Sequence, residues 1–206
     1  MILEPYNPLA KRHLAESIQR QFLQGPVLPL ANDDARYQAK GAGVYALYYD
    51  GPFAEYAEIA RRNANDLWSL PIYVGKAIPP GGRVGGMSQA SNAVGALRDR
   101  LRRHAQSIDQ TSNIELTDFS FRSLVVDDIW IPLGENMLIE NFWPLWNTSL
   151  SGFGSNPTGG PRATQAGSRW DTLHPGRSGA GQATGAAIEE VINLVRTYTA
   201  ALQATV

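Results

Sequence analysis

Six side chains between residues 45 and 147 could act together in one reaction. They are two phenols, an arginine, a histidine, a carboxylate and an amide: Tyr45, Tyr73, Arg100, His104, Glu135 and Asn147. Hydrolysis of a phosphodiester needs an activated water, neutralisation of the charge that builds on the phosphoryl oxygens, and help for the leaving oxygen. The set suits that chemistry, with one Mg²⁺ on the single carboxylate and Mn²⁺ as a possible substitute.

The two tyrosines lie in short apolar runs that predict buried strands. Gly43-Val44-Tyr45 opens the run GVYALYY at about 43–49, and Tyr73-Val74-Gly75 closes the run PIYVG at about 71–75. A third strand is predicted at about 117–127. Helices are predicted at 7–24, with Asn7 as N-cap, and at 53–66, 96–108, 129–142 and 183–204.

This order of elements predicts a mixed α/β (α+β) fold. We expect a small, mainly antiparallel three-stranded sheet flanked by helices, in a single domain over 1–206 with a core at about 40–148. Two glycine-rich segments without periodicity, 77–95 and 150–181, are expected to be loop insertions.

Glu135 is predicted to point from the middle of an apolar helix face. At about 100° per residue, four apolar side chains fall within roughly 60° of it, whereas Glu140 lies about 140° away. The four are Ile131, Leu138, Ile139 and Phe142. Because a buried carboxylate needs a partner, Glu135 should meet a metal ion, a hydrogen-bond donor or a cation. The structural alternative is a salt bridge to a buried arginine.

Arg100 and His104 form an i, i+4 pair on one face of the helix at 96–108. Arg98 and Arg102 are expected to point away from that face. The alternatives are an ordinary partly buried histidine at position 104 and a salt bridge between Arg100 and Glu135.

These motifs together resemble the GIY-YIG nuclease superfamily. Residues 97–104 match its L-x-x-R-L-x-x-[HY] run, and Glu135 stands twelve residues before Asn147, as in its E-x-x-L-I…P-x-[YW]-N signature. The resemblance implies that Glu135 is the metal ligand. The superfamily arginine often follows the second tyrosine by about ten residues, which would nominate Arg83; we interpret 77–95 as an insertion and Arg83 as a DNA contact.

Roles for the other residues follow from the same chemistry. Arg100 is expected to clamp the scissile phosphate, because its planar fork matches two phosphate oxygens. Tyr45 is the candidate general base. A phenol with a free pKa near 10 is a poor base at neutral pH, so a nearby cation or proton acceptor must assist it. Lys76 and His104 are the candidates for that role. Tyr73 is expected to orient the water or the phosphate, and Asn147 is expected to fix the local geometry.

Further segments, including PLWN and GFG, resemble the small GIY-YIG restriction enzymes of the SacII-specificity group. The resemblance covers about residues 40–177. It implies a type II restriction endonuclease that cuts double-stranded DNA at CCGCGG as a homodimer, with a cognate DNA methyltransferase in the same system. Besides Arg83, the expected DNA contacts are Arg103, Arg162, Gln165, Ser168, Trp170, Asp171, His174 and Arg177. The alternative is a structural loop in which Trp170 fills the core and Asp171 pairs with an arginine.

Composition narrows the class of protein. The chain has no cysteine, which excludes disulfides and cysteine-ligated zinc, and its net charge is −1. No signal peptide or membrane-length apolar run is evident, so a bacterial cytoplasmic protein is expected. Two alternatives stay open: a nicking or structure-specific repair nuclease of the UvrC type, and a non-catalytic DNA-binding module.

Overall fold

The computed structural model describes residue 7 and residues 10–78, 95–154, 167–178 and 187–204. The predicted DNA contacts Arg83, Arg162 and Gln165 lie outside the described residues, as do residues 79–94, 155–166 and 179–181 of the two glycine-rich segments. Within the described part of the chain, no helix combines the length and the apolar character that a membrane crossing requires.

The described part of the chain contains one antiparallel sheet whose most buried strand carries the first tyrosine. Its strands are β1 (Leu28–Pro29), β2 (Gly43–Tyr49), β3 (Tyr73–Ala77) and β4 (Phe119–Val125), in the order β1-β4-β2-β3. Every residue of β2 is buried. The predicted flanked antiparallel sheet is therefore confirmed, and it has a fourth strand that the sequence did not predict. That strand has two residues, too few to form an alternating pattern.

Eight α-helices are described around this sheet. They are α1 (Lys11–Gln24), α2 (Asp33–Gln38), α3 (Ala57–Asn63), α4 (Ala96–Asp109), α5 (Ile131–Phe142), α6 (Leu145–Thr148), α7 (Arg169–Leu173) and α8 (Ile188–Gln203). Because alternate residues of a strand face opposite sides of the sheet, β2 serves two cores. Tyr45 packs in the larger core with α4, whereas Val44 packs in the smaller core with α5. The helix of Arg100 and the helix of Glu135 thus lie on opposite faces.

Three predicted helix boundaries shift. Helix α1 begins at Lys11, after an N-cap at Ala10, and not beside Asn7; it ends at Gln24, with Gly25 as its C-cap, as predicted. The predicted helix at 53–66 is a 3₁₀ turn followed by α3, which stops at Asn63. Soon after it, Asn65 adopts a left-handed backbone with φ of 56°, which cannot continue a right-handed helix. Of the predicted helix at 183–204, the described residues form helix from Ile188.

Candidate active site

Tyr45, His104 and Arg100 meet on the α4 side of the sheet. The hydroxyl oxygen of Tyr45 lies 2.6 Å from Nε2 of His104. Arg100 donates from Nε to the same hydroxyl oxygen at 3.3 Å. An arginine can only donate, so the hydroxyl proton of Tyr45 must point at another acceptor, and Nε2 of His104 lies within hydrogen-bond distance. The two bonds define a path along which a proton can leave the phenol.

Burial keeps both members of this pair neutral near pH 7. It raises the pKa of the Tyr45 phenol well above 10, with Tyr73 adding to the effect and Arg100 opposing it. It lowers the pKa of His104 well below 6.5, and the positive charges of Arg100, Arg103 and Arg177 lower it further. A neutral imidazole that carries its proton on Nδ1 accepts a hydrogen bond at Nε2.

Tyr73 completes the aromatic side of the site. Its ring centroid lies 6.2 Å from that of Tyr45 and 5.3 Å from that of His104, the latter in a T-shaped arrangement. Burial raises the pKa of Tyr73, the positive charge of Arg100 opposes this, and the negative charge of Glu135 adds to it. Tyr73 therefore feels charges from both faces of the sheet.

The glycine of the second triplet makes room for the first tyrosine. Tyr45 pairs with Gly75 across β2 and β3. A Cβ at Gly75 would lie 2.6 Å from Cζ of Tyr45 and 2.9 Å from Cε1 of Tyr73. Both rings would have to move, so the two motifs are sterically coupled at this position.

Phe153 and Gly154 cover the site, a contact that the sequence did not predict. Phe153 stacks on His104 with ring centroids 4.7 Å apart and planes at 23°. The carbonyl oxygen of Gly154 accepts a hydrogen bond of 2.9 Å from Nη2 of Arg100. Gly154 has φ of +76°, and a Cβ there would lie 2.6 Å from the hydroxyl oxygen of Tyr73. The GFG motif was the available signal, because two glycines around an aromatic residue favour such a close turn.

Glu135 and Lys76 form an ion pair of 2.5 Å on the α5 side of the sheet. The side chain of Glu135 is 16% exposed, whereas that of Glu140 is 63% exposed and pairs with Lys11. The inward face that the helical spacing predicted for Glu135 is confirmed. Its partner is a lysine instead of the arginine that the structural alternative assumed. Lys76 binds this carboxylate, and no hydrogen bond joins it to Tyr45 in the described contacts.

Glu135 fits a Mg²⁺ ligand that leaves most coordination positions to water and substrate. Its carboxylate offers hard oxygen donors and is partly accessible. Among the described residues, no group of three or more histidine, aspartate or glutamate side chains could hold a metal. A metal ion bound by Glu135 would therefore take most of its other ligands from water or substrate, whereas Lys76 pairs with the carboxylate in the free protein.

Asn147 closes the edge of the sheet. Its Oδ1 accepts from the Val74 backbone N–H at 2.7 Å, and its Nδ2 donates to the Val74 carbonyl at 2.8 Å. The amide thus imitates a neighbouring strand at the one residue between Tyr73 and Gly75. Because β3 lies at the edge of the sheet, these bonds fix the strand that the two faces of the site share.

Two predicted DNA contacts, Trp170 and His174, are buried in the core with 0% exposure. A direct DNA contact by these side chains is therefore wrong for this structure, and the alternative of a core-filling Trp170 holds. Nε2 of His174 lies 2.6 Å from the hydroxyl oxygen of Tyr56, and that oxygen accepts a hydrogen bond from Nε1 of Trp146 at 3.0 Å. Nδ1 of His174 lies 2.9 Å from Oδ1 of Asn113.

Three more of the predicted contacts form one partly buried, hydrogen-bonded group. Arg177 donates to both carboxylate oxygens of Asp171, at 2.9 and 2.8 Å, and the two side chains are 11% and 7% exposed. The hydroxyl of Ser168 donates to Asp171 at 2.6 Å and accepts from the Asp171 backbone N–H as the N-cap of α7. The structure thus places Ser168, Asp171 and Arg177 in an internal hydrogen-bonded group, and their predicted DNA contact stays a prediction.

Arg103 remains on the surface of α4, where its Nε donates to the carbonyl of Asp99. Its predicted DNA contact stays a prediction.

Of the residues predicted from sequence, the structure thus brings together Tyr45, Tyr73, Lys76, Arg100, His104, Glu135 and Asn147 around β3.

Two comparisons with known proteins bear on this site. The family model described as the Eco29kI GIY-YIG domain matches residues 37–199, which include β2, β3, α4, α5 and every residue named at the site. A search of curated proteins finds no match. The matched region covers most of the chain and contains both tyrosine triplets in the paired strands that the site requires. The chain belongs to the Eco29kI GIY-YIG family of restriction endonucleases, and it is accordingly a DNA-binding nuclease.

Proposed function

We propose that this nuclease is a type II restriction endonuclease that hydrolyses both strands of DNA at the palindrome CCGCGG as a homodimer. The sequence resemblance to the SacII-specificity group supports the recognition site. A palindrome has two-fold symmetry, and two protomers related by the same symmetry supply one active site for each strand. The observation that carries the catalytic proposal is the convergence of Arg100 and His104 on the hydroxyl of Tyr45.

Tyr45 acts as the base that activates water, with His104 as the final proton acceptor. As the water attacks phosphorus, its proton passes to the phenol oxygen while the phenol proton moves to Nε2 of His104. The phenol thus stays neutral at the end of the step, which suits a group whose pKa burial raises well above 10. The 2.6 Å separation is within the range for such a transfer.

Arg100 binds the scissile phosphate and links that binding to the proton transfer. Its guanidinium already touches the Tyr45 hydroxyl, so a phosphate held there lies beside the base. A bound phosphate also offsets the charge of Arg100, one of the three arginine charges that lower the pKa of His104. His104 then becomes a better proton acceptor when DNA is in place, because its imidazolium form meets less repulsion.

Glu135 would hold the divalent metal, and Lys76 lies beside its carboxylate. When bound, Mg²⁺ neutralises charge on the phosphoryl oxygens and stabilises the leaving 3′-oxygen. In the free protein the ammonium of Lys76 offsets the charge of the partly buried Glu135 carboxylate. With a metal bound at Glu135, Lys76 would be available to pair with a phosphate oxygen. Tyr73 orients the phosphate from the other side of β3.

Digestion of plasmid DNA tests this proposal. In Mg²⁺, a plasmid with one CCGCGG site should become linear, and sequencing of its ends should place both cuts within that site. Methylation of the site should protect it. Nicking of one strand without sequence preference would support the repair-nuclease alternative, and no cutting in Mg²⁺ or Mn²⁺ would overturn the catalytic proposal.

The metal assignment has a matched control on the same helix. Glu135→Gln should reduce cleavage in Mg²⁺ by roughly 10²-fold or more, because the amide loses the charge that holds the cation. Glu140→Gln, on the exposed face, should cut like the wild type. Equal cleavage by Glu135→Gln and the wild type would contradict the assignment.

A further inference from the structure

The ion pair of Asp171 and Arg177 lies beside the segment that covers the active site. Besides both oxygens of Asp171, Arg177 reaches the carbonyl of Gly152, with its Nη2 3.3 Å from that oxygen. The guanidinium lies over the ring of Trp170, 5.0 Å from its centroid. The Trp170 backbone N–H donates to the carbonyl of Ser151 at 3.0 Å. Helix α7 and Arg177 therefore hold two consecutive carbonyls of the chain just before Phe153.

The glycines on either side of Phe153 leave little freedom for this segment. Gly152 and Gly154 both have positive φ, +119° and +76°. A Cβ at Gly152 would overlap the side chain of Ser168, which is itself bonded to Asp171. Phe153 lies between the aromatic rings of Trp170 at 5.1 Å and His104 at 4.7 Å. Any shift of Gly152 must therefore move the ring that stacks on His104.

The segment ends on the proposed phosphate clamp. Gly154 accepts from Nη2 of Arg100, while Nε of Arg100 donates to Tyr45. The guanidinium of Arg100 thus bonds both to the proposed base, Tyr45, and to Gly154 of the segment that covers the site. A continuous set of contacts runs from Arg177, through Gly152 and Gly154, to Arg100.

We infer that Asp171 and Arg177 are positioning residues for the nuclease reaction: their ion pair fixes the turn at 152–154, which in turn sets the orientation of Arg100 and His104. This inference deepens the proposed function and rests on it. It replaces DNA contact with an internal role for both residues. A misplacement of about 1 Å far from the reacting atoms can reduce a rate by roughly 10²-fold, so the effect should be large.

Arg177→Lys tests the inference, because lysine keeps the charge but cannot bind both oxygens of Asp171 and Gly152 at once. In single-turnover cleavage, kcat should fall by roughly 30- to 100-fold while the Kd for DNA without metal stays within about twofold. Arg169→Lys, on the exposed face of α7, is the matched control and should cut like the wild type. A role in DNA contact would instead raise the Kd and lower its salt dependence.

A double-mutant cycle separates positioning from a general loss of structure. If Arg177 acts through Arg100, adding Arg177→Lys to Arg100→Lys should cost less than about threefold further in kcat. Full additivity, or an unchanged kcat in the single variant, would overturn the inference.

The ¹⁵N NMR shift of Nε2 in His104 gives a readout that needs no cleavage. It should change in Arg177→Lys and not in Arg169→Lys, and an unchanged shift would also count against the positioning role. An inactive wild type would overturn the proposed function but would leave this measurement decisive for the ion pair.

Discussion

Two buried tyrosine–histidine pairs in this protein have the same short contact and different surroundings. In each, a phenol oxygen lies 2.6 Å from an imidazole Nε2, and both histidines have lowered pKa values because they are buried. At Tyr56 the donors and acceptors form a closed chain. Nδ2 of Asn113 donates to the Leu173 carbonyl, so its Oδ1 accepts from Nδ1 of His174, and Nε2 then accepts from Tyr56.

The pair of Tyr45 and His104 differs in what donates to the phenol. Tyr56 accepts from the neutral indole of Trp146, whereas Tyr45 accepts from the cation Arg100, and Glu135 acts on neighbouring Tyr73. The positive charge of Arg100 can attract a phosphate to the pair of Tyr45 and His104. The neutral indole of Trp146 offers no such attraction at the pair of Tyr56 and His174. A short tyrosine–histidine bond alone therefore does not distinguish a catalytic site from a structural one, and we propose that the cation beside Tyr45 makes the difference.

The two pairs are expected to differ most in how cleavage responds when each histidine is replaced by glutamine, which is not basic. His104→Gln keeps an acceptor for Tyr45 but removes the proton acceptor, so kcat should fall by roughly 10³-fold in single-turnover cleavage. His174→Gln should leave kcat within about tenfold and instead lower the free energy of unfolding by about 1–3 kcal/mol, because a buried polar network is disturbed. Equal losses of kcat in both variants would remove the distinction between the pairs.

A smaller effect is expected from the cation that distinguishes the pairs. Arg100→Lys keeps the charge but cannot reach Tyr45 and Gly154 together, so kcat should fall by roughly 10²-fold. Arg98→Lys, whose arginine bonds to Asp99 on the same helix, is the control and should retain wild-type cleavage. A fully active Arg100→Lys would show that the planar fork is dispensable.

Acid is expected to lower the free energy of unfolding through both buried histidines in the same way. Burial lowers the pKa of His174 to about 3, below the value near 6.5 of an unfolded histidine. The unfolded chain therefore binds a proton that the folded protein rejects, and stability falls as the pH drops from about 6.5 towards 3. Each such histidine contributes up to about 1.4 kcal/mol per pH unit. Urea unfolding between pH 6.5 and 5 measures how steeply the free energy of unfolding falls with pH, which counts the protons taken up on unfolding. Either His174→Gln or His104→Gln should lower that count by about one proton. An unchanged pH dependence would contradict the burial of a neutral imidazole ring.

The sequence predicted the elements whose pattern is local. Strand β2 has the predicted bounds, because its continuous apolar run is bounded by turn residues. The inward faces of Glu135 and His104 followed from helical spacing. These predictions needed only the geometry of one strand or one helix.

The features that the sequence did not predict depend on contacts between residues that are distant in the chain. Tyr56 and His174 are 118 positions apart, and Lys76 and Glu135 are 59 apart, so no spacing rule relates them. Helix α7 has five residues in a glycine-rich segment, too few to reveal which side of it is buried. Polar side chains there suggested contact with DNA, whereas they satisfy one another beneath the turn at 152–154.

Tyr45→Phe, compared with Tyr56→Phe, tests the central claim most directly. Single-turnover cleavage in Mg²⁺ should be reduced by roughly 10³-fold or more in Tyr45→Phe, with DNA binding retained, because only the hydroxyl that relays the proton is lost. Tyr56→Phe should cut within about tenfold of the wild-type rate and lose about 1–3 kcal/mol of stability. Cleavage by Tyr45→Phe at the wild-type rate would contradict the account.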